Sequence, residues 1–188
     1  MRVILQSRRR FLLGLGAGSL LTLAAPLRAQ TKLLVPSSAY SNRLAIKNLN
    51  TGESFFQDIG SKDSFDGNAL AKLDYILRDY RRGEKTSMDP ALYVQMLEIQ
   101  HQLGDEVEFT VISAYRSPAT NANMRKKNAG VAKKSYHMKG QAMDISVAGV
   151  STKALRSATL QVSQGGVGYY PRSGFIHIDT GPKRSWNG

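Results

Sequence analysis

Two short stretches of this 188-residue chain carry the side chains best suited to chemistry. His137 and Asp144 stand seven positions apart in SYHMKGQAMD, and His177 and Asp179 stand two apart in FIHID. The chain has three histidines and no cysteine, so a bound metal would need His, Asp or Glu ligands. Ionisable groups in apolar segments are costly to bury unless they are paired or coordinated. Spacing alone leaves two interpretations open, a metal site or structural roles in a turn and a core strand.

Elements with strand and turn patterns position these residues. Side chains two apart share one face of a strand, so His177 and Asp179 point the same way. Asp144 lies in a predicted strand, and Gly140 allows the chain to bend between His137 and that strand. Arg116 directly follows another predicted strand and is the third candidate for the same site.

The rest of the chain shows alternating strand patterns and capped helix patterns, which together predict an α+β fold with helices packed on a small antiparallel sheet. One predicted helical face runs from Leu70 to Tyr80. Another helix has Asp89 as its N-cap, Pro90 at its first position and Gly104 at its end. The predicted elements are hairpins over 43–59 and 166–180, strands over 108–115 and 142–147, and helices over 68–82, 89–104, 117–128 and 151–162.

The first 29 residues have the pattern of a secretory signal: a basic start, an apolar run over 11–25 and small residues near the end. SRRRFL, beginning at Ser7, resembles the twin-arginine export motif, and we expect cleavage after Ala29. An uncleaved amphipathic anchor is the alternative. We expect residues 30–42 to form a flexible lead-in and residues 43–188 to form the functional domain.

The positive charge favours a polyanionic partner. The net charge is +12, and residues 1–29 hold five arginines and no acidic residue, so the remainder carries +7. Nucleic acid, anionic lipid and acidic wall polymers all satisfy such a charge. Export argues against nucleic acid, which leaves an acidic envelope polymer as the best fit.

The spacing S-x-H-x-x-G-x-A-x-D over 135–144 resembles the signature of the zinc D-alanyl-D-alanine peptidase superfamily, which includes lysostaphin-type enzymes and the hedgehog fold. Three stretches, SAYRSPATNANMR, GVAKKSYHMKGQAMDI and GGVGYYPRSGFIHIDTGPKRSW, are similar to its twin-arginine-exported murein endopeptidases. The resemblance implies Zn²⁺ held by His137, Asp144 and His177, with a fourth position open. It also implies that Arg116 stabilises an oxyanion or holds a substrate carboxylate.

One departure from the superfamily concerns the general base. The superfamily places Glu or His three or two residues before the last zinc histidine, where this chain has Gly174 and Phe175. Asp179 is the nearest substitute. It could be the base, a partner that orients an imidazole, or a ligand with His177 as the base.

The resemblance implies a periplasmic zinc endopeptidase that cuts diaminopimelate-containing cross-links between the stem peptides of peptidoglycan. We expect it to be a monomer that binds no nucleic acid and does not stay inserted in the membrane after signal cleavage. A noncatalytic murein-binding module and a D-alanyl-D-alanine carboxypeptidase are the alternatives.

Overall fold

Four α-helices, a short 3-10 helix and nine strands form the described part of the chain, residues 42–104 and 107–188, in the computed structural model. The predicted signal segment and all but the last residue of the predicted lead-in lie outside this part. The strands are β1 (Arg43–Asn48), β2 (Ser54–Asp58), β3 (Gly60–Ser61), β4 (Ser64–Phe65), β5 (Glu108–Ser113), β6 (Ala142–Val147), β7 (Gly166–Tyr170), β8 (Phe175–Asp179) and β9 (Arg184–Asn187). The helices are α1 (Gly67–Ile76), α2 (Pro90–Leu103), α3 (Pro118–Lys127) and α4 (Thr152–Val162), and the 3-10 helix spans Tyr136–Lys139.

The main sheet has seven strands in the order β2-β1-β5-β6-β8-β7-β9. Helices pack on it, so the predicted α+β class is confirmed. The sheet is larger than the small antiparallel sheet expected from the sequence, and it is mixed. Two of its pairings, β1 with β5 and β7 with β9, are parallel. Both pairings join strands that are not consecutive along the chain, so no turn signal in the sequence predicts them.

Local capping signals set the ends of α2 and the starts of α3 and α4 where the sequence predicted them. The Asp89 side chain accepts a hydrogen bond from Ala91 N at the start of α2, and Pro90 is the first helical residue. The helix ends at Gly104, whose φ of 98° suits glycine. The serine caps of α3 and α4 likewise accept backbone hydrogen bonds.

The first helix is shorter than predicted. It ends at Ile76, and Tyr80, expected on its apolar face, is 37% exposed in the turn that follows. That turn closes when Gly83 N donates to Asp79 O at 2.8 Å, and Asp79 pairs with Glu84 in an isolated β-bridge. The helical spacing of apolar residues in the sequence therefore extends beyond the end of the helix, into residues whose backbone forms turn hydrogen bonds instead.

The hydrophobic core lies on one face of the sheet. On β6 and β8, Met143 is paired with Ile178, and Ile145 with Ile176, and all four side chains are fully buried. Helices α2 and α4 contact each other, and α4 also contacts β6, β7 and β8. Because side chains alternate along a strand, the intervening residues of β6 and β8 face the opposite side, where the candidate site lies.

Candidate metal centre and cleft

Asp144 and His177 lie directly opposite each other on the antiparallel strands β6 and β8. His177 Nδ1 is 2.9 Å from Asp144 Oδ1. Asp144 is only 8% exposed, so its side chain is buried, as are those of its core neighbours Met143 and Ile145. The strands β6 and β8, both predicted from the sequence, therefore bring Asp144 and His177 into direct contact.

His137 reaches the same point from the 3-10 helix. That helix ends at Gly140, where φ is 67° and an added Cβ would lie 2.6 Å from Ser87 O. Only glycine fits there without strain, which explains the bend predicted between His137 and β6. His137 Nε2 lies 3.2 Å from His177 Nδ1 and 3.4 Å from Asp144 Oδ1.

The hydrogen bond on the far side of His137 fixes its tautomer. His137 Nδ1 is 2.7 Å from Ala114 O, and a carbonyl oxygen can only accept, so Nδ1 carries the proton. Nε2, the other ring nitrogen, is then the one directed at the cluster.

His137, Asp144 and His177 form a group that could hold a metal ion. Each offers one ligand atom, and these atoms lie within 4.8 Å of one another. Two imidazoles and one carboxylate are a donor set that zinc accepts in sites where three protein ligands leave a position open. The residues present fit a catalytic type of metal site better than a closed structural one.

The electrostatics of the cluster favour the ionised carboxylate. Burial alone would raise the pKa of Asp144, but the charge and hydrogen bonds of the two imidazoles hold this pKa well below its usual range. Burial alone would lower the pKa of His177, whereas the hydrogen bonds to Asp144 and Asp179 raise it overall. His177 therefore has a carboxylate at each ring nitrogen.

Asp179 lies behind His177, outside the three-residue cluster. Its Oδ2 is 3.0 Å from His177 Nε2, and its side chain is fully buried. Burial alone would raise the pKa of Asp179, but hydrogen bonds from His177, Arg184 and a backbone N–H lower it overall. This position agrees with the expected shared face of His177 and Asp179.

Arg116 approaches the cluster from the end of β5. Its Nη2 is 3.9 Å from Asp144 Oδ2, while Nη1 and Nη2 contact Asn121 and Ser113. Burial lowers the pKa of Arg116, with Asp144 opposing this, but an arginine side chain keeps its charge. Its Nε is buried and has no hydrogen-bond partner among the described residues. The structure thus brings all five predicted site residues together.

A cleft of about 520 Å³ opens beside the cluster. Aromatic residues on β7, β8 and β9 line one part of it: Phe175 stacks on Tyr170 with ring centroids 4.7 Å apart, and Trp186 Nε1 donates to Tyr170 Oη at 2.9 Å. Lys134 and Arg184 line it as well. Sequence reasoning assigned no role to Tyr170, Trp186 or Arg184, although one of the quoted stretches, GGVGYYPRSGFIHIDTGPKRSW, contains all three.

The two positions where the superfamily has its base lie at the β7–β8 turn. Gly174 has a φ of 73° and closes this turn, and Phe175 is the residue stacked on Tyr170. Neither can accept a proton.

In residues 42–104 and 107–188, no helix has the length and hydropathy needed to cross a membrane.

Comparisons with known proteins match nearly the whole chain. The model of the family described as Peptidoglycan L,D-endopeptidase MepK matches residues 37–186. Peptidoglycan L,D-endopeptidase MepK of Escherichia coli (strain K12) is 43% identical over 180 residues, which cover 96% of this chain and 97% of that protein. Probable peptidoglycan L,D-endopeptidase MepK of Haemophilus influenzae is 40% identical over 189 residues, covering the full length of both.

Proposed function

Because the chain belongs to the peptidoglycan L,D-endopeptidase MepK family, we propose that it hydrolyses L,D peptide bonds in the cross-links of peptidoglycan. Membership confirms the resemblance to murein endopeptidases that the three sequence stretches indicated. The observation that carries the proposal is the cluster of His137, Asp144 and His177 beside an open cleft. A peptide of a cross-linked polymer can enter such a cleft from outside.

We propose that the metal is zinc and that these three residues are its ligands. The chain offers no thiolate, and a site of two imidazoles and one carboxylate suits zinc. When bound, zinc supplies a Lewis acid that lowers the pKa of a bound water and polarises a carbonyl.

The surrounding residues hold this donor set in place. The hydrogen bond from His137 Nδ1 to Ala114 O leaves Nε2 free as a ligand atom. His177 donates from Nε2 to Asp179, so Nδ1, which lies beside Asp144, is the ligand atom that His177 offers. We propose that Asp144, ionised throughout the neutral range, contributes the negative charge of the site.

For Arg116 we propose a role in binding negative charge on the substrate. Its guanidinium is fixed by Asn121 and Ser113, and Arg116 lines the cleft beside the cluster. A cation held in place in this way stabilises an oxyanion or a carboxylate at little reorganisation cost.

For Asp179 we propose the orienting role among the three considered. A general base must reach the proton that it removes. Asp179 is fully buried and its oxygens already accept from His177, Arg184 and two backbone N–H groups. These contacts suit a residue that holds an imidazole rather than one that contacts water in the cleft.

We propose that the protein acts in the periplasm, where peptidoglycan is accessible. The support is the signal pattern over 1–29, the twin-arginine-like motif from Ser7, and the peptidoglycan substrate given in the names of the relatives. Residues 43–188 then form the peptidase domain, and Lys134 in the cleft is placed to meet carboxylates of the stem peptides.

The proposal is tested with the chain starting at residue 30 and purified muropeptides that contain defined cross-links. We expect about one zinc per chain and cleavage that a chelator abolishes. His137→Ala should lose both the zinc and the cleavage, while His101→Ala, a histidine at the end of α2, should keep both.

Three results would contradict the proposal. His137→Ala with full zinc and full activity would show that the ligand assignment is wrong. Release of terminal D-alanine with intact cross-links would indicate a carboxypeptidase. Binding of peptidoglycan without any cleavage would indicate a noncatalytic module.

A further inference from the structure

We propose that Arg184 is a positioning residue: it fixes Asp179, and through Asp179 it holds the His177 ring at the metal centre. The inference rests on the proposed function, in which His177 is a ligand. Arg184 does not hydrogen-bond the cluster itself, and its hydrogen-bonded route to His177 passes through the Asp179 carboxylate.

The two side chains meet in a forked ion pair. Arg184 Nη2 is 2.6 Å from Asp179 Oδ2, and Nη1 is 3.0 Å from Asp179 Oδ1. Paired hydrogen bonds of this kind fix the plane of a carboxylate as well as its charge. A lysine at this position would keep the charge but could not form the fork.

The remaining contacts of Asp179 leave one oxygen directed at His177. Oδ1 accepts from Gly166 N at 3.0 Å and from Gly181 N at 2.9 Å, in addition to Arg184. Oδ2 is shared between Arg184 and His177 Nε2. The carboxylate is therefore held on both oxygens, and its direction toward the imidazole is determined.

Strand β9 places the arginine there. It runs parallel to β7, with Arg184 in register with Gly166. A Cβ at position 166 would lie 2.6 Å from Arg184 Nη1 and closer still to Asp179 Oδ2. The ion pair thus occupies the space that a side chain on β7 would need, and glycine is required for this close approach.

Two aromatic rings hold the guanidinium from other sides. Its central carbon is 5.2 Å from the Tyr136 ring centroid and 5.0 Å from that of Trp186. Cation–π contacts at these distances are favourable, and they restrict the side chain although it is 40% exposed. Tyr136 is also the neighbour of His137, so the arginine links the two histidine segments.

A direct contact between Arg184 and the substrate fits the geometry less well. Both Nη atoms donate to Asp179, and Nη1 also donates to Pro182 O at 2.9 Å. If Arg184 turned to a substrate, Asp179 would become a fully buried carboxylate without its cation, which is a costly arrangement. The charge of Arg184 is therefore needed inside the protein.

The experiment measures zinc affinity by chelator competition, independently of peptidase activity, in Arg184→Met and Arg184→Lys. Loss of an outer partner of a metal-binding histidine weakens metal binding by about 10- to 100-fold, and we expect this for Arg184→Met. Arg184→Lys should recover part of the loss. The Co²⁺-substituted protein should show a shifted visible spectrum in the methionine variant. The control is Arg82→Met, an exposed arginine paired with Glu84 away from the cleft, which should bind zinc normally.

A double-mutant cycle tests the path of the effect. If Arg184 acts through Asp179, then Arg184→Met added to Asp179→Asn should weaken zinc binding by less than about threefold further, since residues of one network are not additive. Independent, multiplicative losses would overturn the inference. So would Arg184→Met with normal zinc affinity and a raised KM, which would indicate a substrate contact. If the wild-type protein binds no zinc, the proposed function itself fails, whereas wild-type zinc binding and cleavage with an unaffected Arg184→Met refutes this inference alone.

Discussion

Replacing Gly166 by alanine is a sharp test of the site because the structure specifies what the added methyl group meets. Its Cβ would lie 2.6 Å and 2.8 Å from Nη1 and Cζ of Arg184, and closer to Asp179 Oδ2. Ordinary contacts between heavy atoms are about 3.5 Å or more, so one member of the ion pair must move by about 1 Å.

The buried Asp179 is held by backbone N–H groups, whereas Arg184 is partly exposed and can withdraw. We therefore expect Gly166→Ala to break the forked pair and to loosen the orientation of His177. A misplacement of about 1 Å can cost about 100-fold in rate, and overpacking costs about 1–3 kcal/mol of unfolding free energy. Zinc affinity should fall by about 10- to 100-fold.

The assays are kcat/KM on a cross-linked muropeptide, zinc affinity by chelator competition, and urea unfolding. Gly67→Ala is the matched control, because Gly67 is the first residue of α1 and a Cβ there meets no atom within 4 Å. That variant should keep normal zinc affinity and change stability by less than about 1 kcal/mol. Gly166→Ala with wild-type rate and zinc affinity would refute the reasoning, and lowered stability with both unchanged would confine the role of Gly166 to packing.

Two further predictions concern the fold and the export route. Burial alone would raise the pKa of Asp79, but hydrogen bonds from Thr120, Ser117 and backbone N–H groups lower it overall, so its stabilising effect is complete above about pH 4 and declines as pH falls further. Asp79→Asn should therefore cost about 2 kcal/mol in urea unfolding at pH 7 and less at pH 3, and an equal cost at both pH values would contradict this. Replacing Arg8 and Arg9 together by lysine should leave the precursor in the cytoplasm, as detected by fractionation; normal export of that double variant would indicate the general secretory route.

Features determined by neighbouring residues could be predicted from the sequence. The cap, first residue and end of α2 follow from Asp89, Pro90 and Gly104, and β6 was predicted with the bounds that the structure shows. The convergence of His137 and Asp144 was also foreseeable, because both belong to one compact motif around a glycine bend.

Pairings between distant segments could not be predicted in this way. The parallel pairing of β7 with β9 depends on the whole sheet, and no periodicity in the PKRSW stretch marks Arg184 as the partner of Asp179. An arginine in such a polar stretch is usually interpreted only as a charge that keeps the surface solvated. Its role becomes visible when Gly166, Asp179 and Arg184 are seen to share one small space.

The cap of α2 has a consequence for which substitutions the chain can tolerate. Asp89 Oδ1 accepts from Ala91 N, and Oδ2 accepts from Thr180 Oγ1 at 2.7 Å, while Asp89 N donates to Gly140 O at 2.8 Å. Serine or threonine would satisfy the helix equally well, but a single hydroxyl oxygen cannot lie at both acceptor positions. Asparagine could reach both partners, with loss of the charge. Position 89 is thus restricted by the contact of its side chain with Thr180, in the segment that follows His177, and fewer residue types fit there than helix capping alone would allow.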